Sequence, residues 1–387
     1  MSFFTDRNCY MKNYNLSLID KIKAFDYKYL CLISFVVFIG LGVLYSVGNG
    51  HFSPWASKQS FRFLLSLGIL FIVAFSNLRL WMKYAYWIYG VALILLIGVE
   101  FFGHVGMGAQ RWLSLGGFQV QPSEVMKIAL VLALARYFHV SDLNEIRSFK
   151  FMIPPVLMMG VPVLLILKQP DLGTAMMLVF MSLGVFFLVG VQVWKFVALA
   201  FTGLGSFPII WSLLHEYQKK RILTFLNPEN DPLGSGYHIS QSKITLGSGG
   251  FWGKGFMQGT QSRLNFIPEK QTDFIFTVFA EEFGLWGSLF LFGIYTFLIV
   301  YGFVIAARCA NFFGKVLAAG LTINFSLYVF INLGMVMGLM PVVGIPLPLM
   351  SYGGTAMMTL CFSFGLMECI KINQEMVIGR LGSIDDD

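Results

Sequence analysis

Apolar runs long enough to cross a bilayer recur along the chain at roughly 29–48, 60–78, 84–102, 122–138, 151–167, 172–190, 195–212, 273–305, 316–340 and 348–370. A hydrocarbon core of ~30 Å needs ~20 mostly apolar residues per helix. The pattern therefore predicts an all-α polytopic membrane protein with about ten transmembrane helices. The run 273–305 is long enough for one tilted helix plus an interfacial extension. The run 316–340 contains Gly334 and Gly338 and is expected to bend. One long polar segment, 213–272, separates helices seven and eight. The predicted layout is an N-terminal segment 1–28, helices one to seven in 29–212, the large loop 213–272, helices eight to ten in 273–370, and a tail 371–387.

Composition points the same way. Hydrophobic residues make up 57% of the 387 and charged residues 12%, whereas soluble domains carry ~25% charged residues. A soluble nucleic-acid binder, a secreted disulfide scaffold and a disordered chain are excluded. The net charge of +7 is largely topology, because cytoplasmic loops collect Lys and Arg. Placing both termini inside puts Lys21, Lys23, Lys28, Arg79, Lys83 and Arg136 in inner segments. The large loop is then extracytoplasmic. Five cysteines at positions 9, 31, 309, 361 and 369 form no metal-ligand spacing, and an odd number gives no bridge framework. The first apolar run follows a polar stretch and lacks an A-x-A-like exit, so it is expected to remain as an anchor.

Ionisable residues at the mouths of membrane helices are the candidate chemistry, since charge at that depth is rare and usually functional. Glu124 and Lys127 stand three residues apart at the start of the fourth run, on one helix face. They form either a structural pair or part of a site. Asp171 opens the sixth run behind Pro170, as a helix-start acid favoured by the dipole or as a site residue. Arg111-Trp112 supplies a cation beside an aromatic just before the fourth run. Asp273 carries the most weight: it follows Thr272, a candidate N-cap, and ends the polar loop at the bilayer surface. Glu281 and Glu282 would lie about 12 Å deeper at 1.5 Å per residue, at least one of them facing the bundle and pairing with a buried Lys or Arg.

The loop itself holds Lys254, Arg263 and Lys270 among eight glycines. It is either a passive connection or an electropositive surface for an anionic group, with its glycines leaving backbone close to whatever docks there and the piece 217–225 lying flat at the interface. Near the last run, Pro341 to Thr355 contains three prolines and then Ser351-Tyr352-Gly353-Gly354. Such a segment should break the helix and line a cavity, because irregular backbone at that depth needs protein or a cavity against it.

Three stretches, GAQRWLSLGGFQVQPSEVMKIA (108–129), GTQSRLNFIPEKQTDFIFTVFAEEFG (259–284) and PLPLMSYGGTAMM (346–358), supported by KQPDLGT (168–174), resemble the SEDS family of bacterial shape, elongation, division and sporulation proteins. The resemblance covers the chain after about Lys23. Ala280 and Thr355 are more similar to the elongation branch than to the division branch. The resemblance implies a peptidoglycan glycosyltransferase of the bacterial inner membrane that polymerises lipid II, releasing undecaprenyl pyrophosphate. It also implies a class B penicillin-binding protein and other elongation-machinery proteins as partners. The family's essential aspartate matches Asp273, the catalytic residue. Arg111, Trp112, Glu124, Lys127, Asp171, Lys254, Arg263, Lys270 and Ser351 are the candidates for binding substrate or stabilising charge. Relatives commonly read His-Thr-Asp where this chain has Gln271-Thr272-Asp273, so a relay role for that histidine does not carry over.

An inverting displacement needs a base at the acceptor hydroxyl and charge stabilisation at the leaving group. No resident cofactor or metal site is expected; a magnesium or manganese ion would come with the pyrophosphate. A lipid II flippase or transporter, a division-type polymerase and a scaffold for wall proteins are the alternatives. Charges at helix ends rather than at midplane repeats favour the polymerase over a transporter.

Overall fold

A computed structural model of the protein describes residues 16–106, 109–115, 118–141, 143–146, 148–205, 212, 219, 223–225, 227, 235–264, 269–376 and 378–379. The expected interfacial piece 217–225 falls largely outside them. The chain runs α1 (Leu18–Ala24), α2 (Tyr27–Val47), α3 (Trp55–Ala74), α4 (Leu78–Phe102), β1 (His104–Gly106), β2 (Ala109–Leu115), β3 (Phe118–Val120), α5 (Pro122–Val140) and α6 (Leu143–Ile146). It continues as α7 (Phe149–Lys168), α8 (Leu172–Val189), α9 (Val193–Gly205), α10 (Ser235–Ser248), α11 (Thr260–Arg263), α12 (Ile275–Arg308), α13 (Phe312–Val336) and α14 (Gly354–Ile372).

Among the described residues, eight helices are long and apolar enough to cross a membrane: α2, α3, α4, α7, α8, α12, α13 and α14. The other two predicted runs are helical where they are described. However, α5 carries Glu124, Lys127 and Arg136 over its 19 residues, and α9 is described for 13 residues only. Helices α13 and α14 form the interior, with 78% and 72% of their apolar windows buried, whereas α4 and α7 reach only 22%. That contrast separates core helices from those facing lipid.

Local chemistry sets several helix starts. Asp26, Asn77, Asp171 and Asn311 each accept a backbone N–H of the first turn, as N-caps do. Asp26 also receives hydrogen bonds from the Lys371 ammonium and the Tyr301 hydroxyl, and its own N–H donates to Glu368 Oε2 at 3.1 Å. This knot joins the start of α2 to α12 and α14. Burial pushes the Asp26 carboxyl up, but the hydrogen bonds from Lys371, Tyr301 and the Tyr29 amide outweigh it and hold it below its ordinary value.

Three findings depart from the sequence reading. First, the all-α expectation misses a short three-stranded antiparallel sheet in order β1-β2-β3. Strand β2 pairs with β3 through Leu113–Val120, Ser114–Gln119 and Leu115–Phe118. Second, α13 does not bend at Gly334 but ends at Val336. Gly338 follows with φ of 71°, and the Gly334 carbonyl accepts from Leu339 N at 2.8 Å.

Third, α12 is broken at Gly284, with φ 65° and ψ −161°. The stretch from Leu285 to Arg308 is about 36 Å long at 1.5 Å per residue and crosses a ~30 Å core by itself. The arm before the break does something else. Through its Asp273 end it meets Asn332, about 30 Å up α13. At its other end Glu282 meets Ser46, about 28 Å up α2. The arm therefore lies across one end of the bundle. Glu281 and Glu282 are not sunk deeper than Asp273 but stand at the same level.

Candidate active site

Asp273 sits in a turn rather than at a capped helix start. The helix begins at Ile275, with no side-chain cap, and the Thr272 hydroxyl donates to the Glu269 carbonyl at 3.2 Å. That is a correction to the N-cap expectation. The turn is fixed from the irregular segment between α13 and α14. Ser351 Oγ donates to Thr272 O at 2.6 Å and accepts from Leu347 N at 2.8 Å. Tyr352 N donates to Gln271 O at 2.9 Å. Asn332 Nδ2 donates to both Asp273 O at 2.8 Å and Ile345 O at 2.7 Å. Three ties flank one half-buried carboxylate.

The segment behind them is irregular, as the prolines predict, and its apolar side chains share a core with the α12 arm. A small cavity beneath it is bounded by Tyr328, Pro346, Ser351 and Leu360. Gly344 has φ of 73°, and a Cβ there would stand 3.4 Å from Asp273 Oδ2. Glycine keeps that side of the carboxylate clear and adopts the left-handed backbone without strain.

The same segment reaches the second cluster. A Cβ on Gly173 would lie 3.0 Å from Val343 O, so the start of α8 abuts the loop that passes Asp273. There Asp171 accepts from Thr174 N at 3.2 Å and Thr174 Oγ1 at 2.9 Å. The helix-start role is real, and Asp171 is also 3.7 Å from Arg111 Nε. Arg111, on β2, donates to Gln169 O at 3.5 Å and to Pro170 O. Trp112 is the next residue of that strand, half-buried and paired across the sheet with His104.

Glu124 and Lys127 form the expected pair, with Lys127 Nζ 2.7 Å from Glu124 Oε1 and both buried. The sequence did not reveal their third member. The Tyr328 hydroxyl bonds both Lys127 Nζ and Glu124 Oε2, and Thr359 Oγ1 reaches Glu124 at 3.4 Å. Tyr328 lies one turn, about 6 Å, from Asn332 on α13, so this triad sits just beneath the Asp273 turn.

The loop cations divide. Lys254 Nζ is 2.8 Å from Glu281 Oε1, and Gln261 N and Ser262 N donate to the same carboxylate at 2.9 and 3.0 Å. Glu281 thus pairs with a lysine, as expected, but the partner comes from the loop. This knot is about 12 Å along the arm from Asp273. Arg263 is exposed at the end of α11. Lys270 donates to Ser262 O at 2.8 Å, and burial lowers its ammonium from the ordinary value.

What docks on the glycine-rich stretch is the protein's own broken helix. Lys254 N and Gly255 N donate to Glu281 O and Glu282 O at 3.0 Å each, and Leu285 N and Trp286 N donate to Gly250 O and Phe251 O at 3.0 and 3.2 Å. A Cβ at Gly253 would stand 2.1 Å from Glu282 O, so only glycine permits that approach.

Two further residues beside the turn were also missed. Gln59 Nε2 donates to Ser351 O at 3.0 Å, and the Arg62 guanidinium lies 4.5 Å from the Tyr352 ring centre. Gln59 precedes the predicted run 60–78 and Arg62 stands at its outer start. Among the described residues no three His, Cys, Asp or Glu side chains gather as a metal-ligand set.

The chain is similar to the peptidoglycan glycosyltransferase MrdB of Escherichia coli K12, 42% identical over 360 residues, covering 92% of this chain and 96% of that one. It is 36% identical to MrdB of Helicobacter pylori over 349 residues, covering 88% and 86%. Its fold matches a chain of a solved structure described as structural coordination of polymerization and crosslinking by a peptidoglycan synthase complex. The TM-score there is 0.79 at 31% identity, covering 91% of this chain and 98% of that one. It also matches the rod shape determining protein RodA of Thermus thermophilus, with TM-score 0.67 at 27% identity and the same coverage. The FTSW_RODA_SPOVE profile, described as cell cycle protein, spans residues 24–376, and the chain, with its apolar bundle and its three signature stretches folded around one turn, belongs to that family.

Proposed function

We propose that the chain is a peptidoglycan glycosyltransferase that polymerises lipid II into glycan strands during cell elongation, with Asp273 as the general base. Relatives named for this activity align over nine-tenths of the chain, and those named MrdB support the elongation branch. The observation that carries the site is the fixed carboxylate at the bundle end, held by ties to Gln271, Thr272 and the Asp273 backbone. The acceptor's 4-hydroxyl gives its proton to Asp273 and forms a bond to the donor's anomeric carbon. The bond from that carbon to the pyrophosphate oxygen breaks, inverting α to β. The undecaprenyl pyrophosphate leaves unprotonated if cations meet its charge. Lys270, Arg263 and Arg62 border the turn or its loop and suit that work, as does Arg111 beside Asp171, while Lys127 and Lys254 are held closer by carboxylates. Ser351 and Asn332 act by position. A magnesium or manganese ion carried by the pyrophosphate would arrive as part of the substrate.

The membrane site fits a lipid-linked sugar, whose tail stays in the bilayer while its headgroup meets the turn. The solved complex of polymerization and crosslinking supports a class B penicillin-binding protein as partner. The test is purified protein in liposomes with lipid II, with and without the cognate transpeptidase. Glycan polymer on gels is expected. No polymer in either case, with lipid II moving across the bilayer, would replace this reading by a flippase.

The large loop and Asp273 are placed on the extracytoplasmic face, with both termini cytoplasmic, on the distribution of basic residues. Native Cys309 is buried and useless as a reporter. In a cysteine-free background, a membrane-impermeant thiol reagent on spheroplasts should label Leu264→Cys and miss Ala310→Cys, both exposed positions. The reverse pattern inverts the topology.

A further inference from the structure

The tip of the docked loop, Phe251 to Phe256, is exposed and apolar at one level of the molecule. Trp252 is 82% exposed, Phe251 66% and Phe256 46%. The single charge within the tip, Lys254, is turned inward to Glu281 at 2.8 Å and Thr260 at 2.7 Å. Trp252 stands 6.4 Å, centre to centre, from Trp286, and Phe256 stands 6.3 Å from Phe283. Trp286 is the second residue of the α12 stretch that crosses the bilayer, and it is itself exposed. Below it on that helix, Leu289 and Phe290 are exposed as well, making a lipid-facing side.

We propose that this tip inserts into the headgroup–acyl boundary of the leaflet at the Asp273 end, making the loop a membrane anchor. Three observations select lipid as the occupant. The tip continues the exposed apolar side of a spanning helix. It lies beside the first residues of that helix, at the edge of the hydrocarbon, where Trp side chains gather. Its lysine is paired with the buried Glu281 carboxylate, which lowers the cost of bringing that charge toward the boundary.

The consequence for the site is mechanical. Four backbone hydrogen bonds join the tip to the break at Gly284, and the arm that begins at Asp273 ends at that break. Seating the tip in lipid fixes the height of the arm over the bilayer, and with it the height at which Asp273 meets a lipid-linked sugar. The proposal itself does not depend on the reaction.

The test uses the full chain, free of native cysteines, alone in lipid nanodiscs, with a nitroxide on Trp252→Cys or Phe256→Cys. Collisions with oxygen, which concentrates in lipid, are compared with those of a water-soluble nickel complex. Phe290→Cys on the exposed side of α12 is the lipid reference, and Asp20→Cys on exposed α1 is the aqueous one. Both tip labels are expected to favour oxygen several-fold over nickel, as at Phe290. Nickel access at either tip label comparable with that at Asp20 overturns the proposal. Shielding from both reagents also overturns it, because it would mean a second protein surface covers the tip.

Discussion

Asp273→Asn is expected to leave the protein folded, at normal abundance and monodisperse in detergent, and to lower lipid II polymerisation by about 10²–10⁴-fold, the usual contribution of a general base. The substitution is close to isosteric. The ties that fix the turn run through the backbone of Gln271, Thr272 and Asp273 and through Ser351 and Asn332, and none requires a charged Asp273 side chain. The α12 helix starts at Ile275 without a side-chain cap, so an amide at 273 removes no cap. Asparagine keeps the size of the side chain and loses the ability to take the hydroxyl proton. Gel-resolved glycan from purified protein is the measurement, with a thermal unfolding curve alongside. Polymerisation within a few-fold of wild type would remove Asp273 from the chemistry.

Glu124→Gln and Lys127→Met should each cost about 3–5 kcal/mol, as removing one partner of a buried ion pair does, and polymerisation should fall with stability. The geometry explains why neither charge is rescued by water. Lys127 is 1% exposed and Glu124 6%, and among the described residues their other side-chain hydrogen-bond partners are Tyr328 and Thr359. A neutral hydroxyl cannot compensate a full charge at that depth. The double variant leaves no stranded charge and is expected to be no worse than the poorer single. Thermal unfolding and polymerisation, run as a double-mutant cycle, give the coupling directly. Additive losses would mean that the two residues serve separate ends. Because Tyr328 lies one turn from Asn332, damage here should reach the Asp273 turn through α13. Tyr328→Phe, which keeps the ring but removes the hydroxyl, should give a milder version of the same loss.

The sequence by itself determined that this is a helical membrane protein, because twenty-residue apolar runs have one cheap solution in lipid: every backbone group must bond within its own helix. It also singled out the candidate site residues. Glu124, Lys127, Asp171 and Asp273 stand out because an ionisable residue at the mouth of an apolar run is costly enough to be noticed without a structure. The Glu124–Lys127 pair was readable for a local reason, since residues three apart share a helix face.

What only the tertiary structure decided are the relations that no spacing encodes. Tyr328 and Thr359 read as ordinary helix residues until two distant helices bring them to Glu124. Ser351 read as a candidate for substrate, and folding shows that its hydroxyl holds the Thr272 carbonyl. Lys254 read as a free cation, and folding turns it onto Glu281. The glycines from Gly249 to Gly255 read as open backbone, while their purpose emerges only with the break at Gly284 that they fit against. Helix periodicity places Glu281 and Glu282 one helical rise after another into the membrane. A single left-handed glycine lays that arm across the bundle instead, because the backbone groups freed by the break find their partners in a loop that is distant along the chain and adjacent in space.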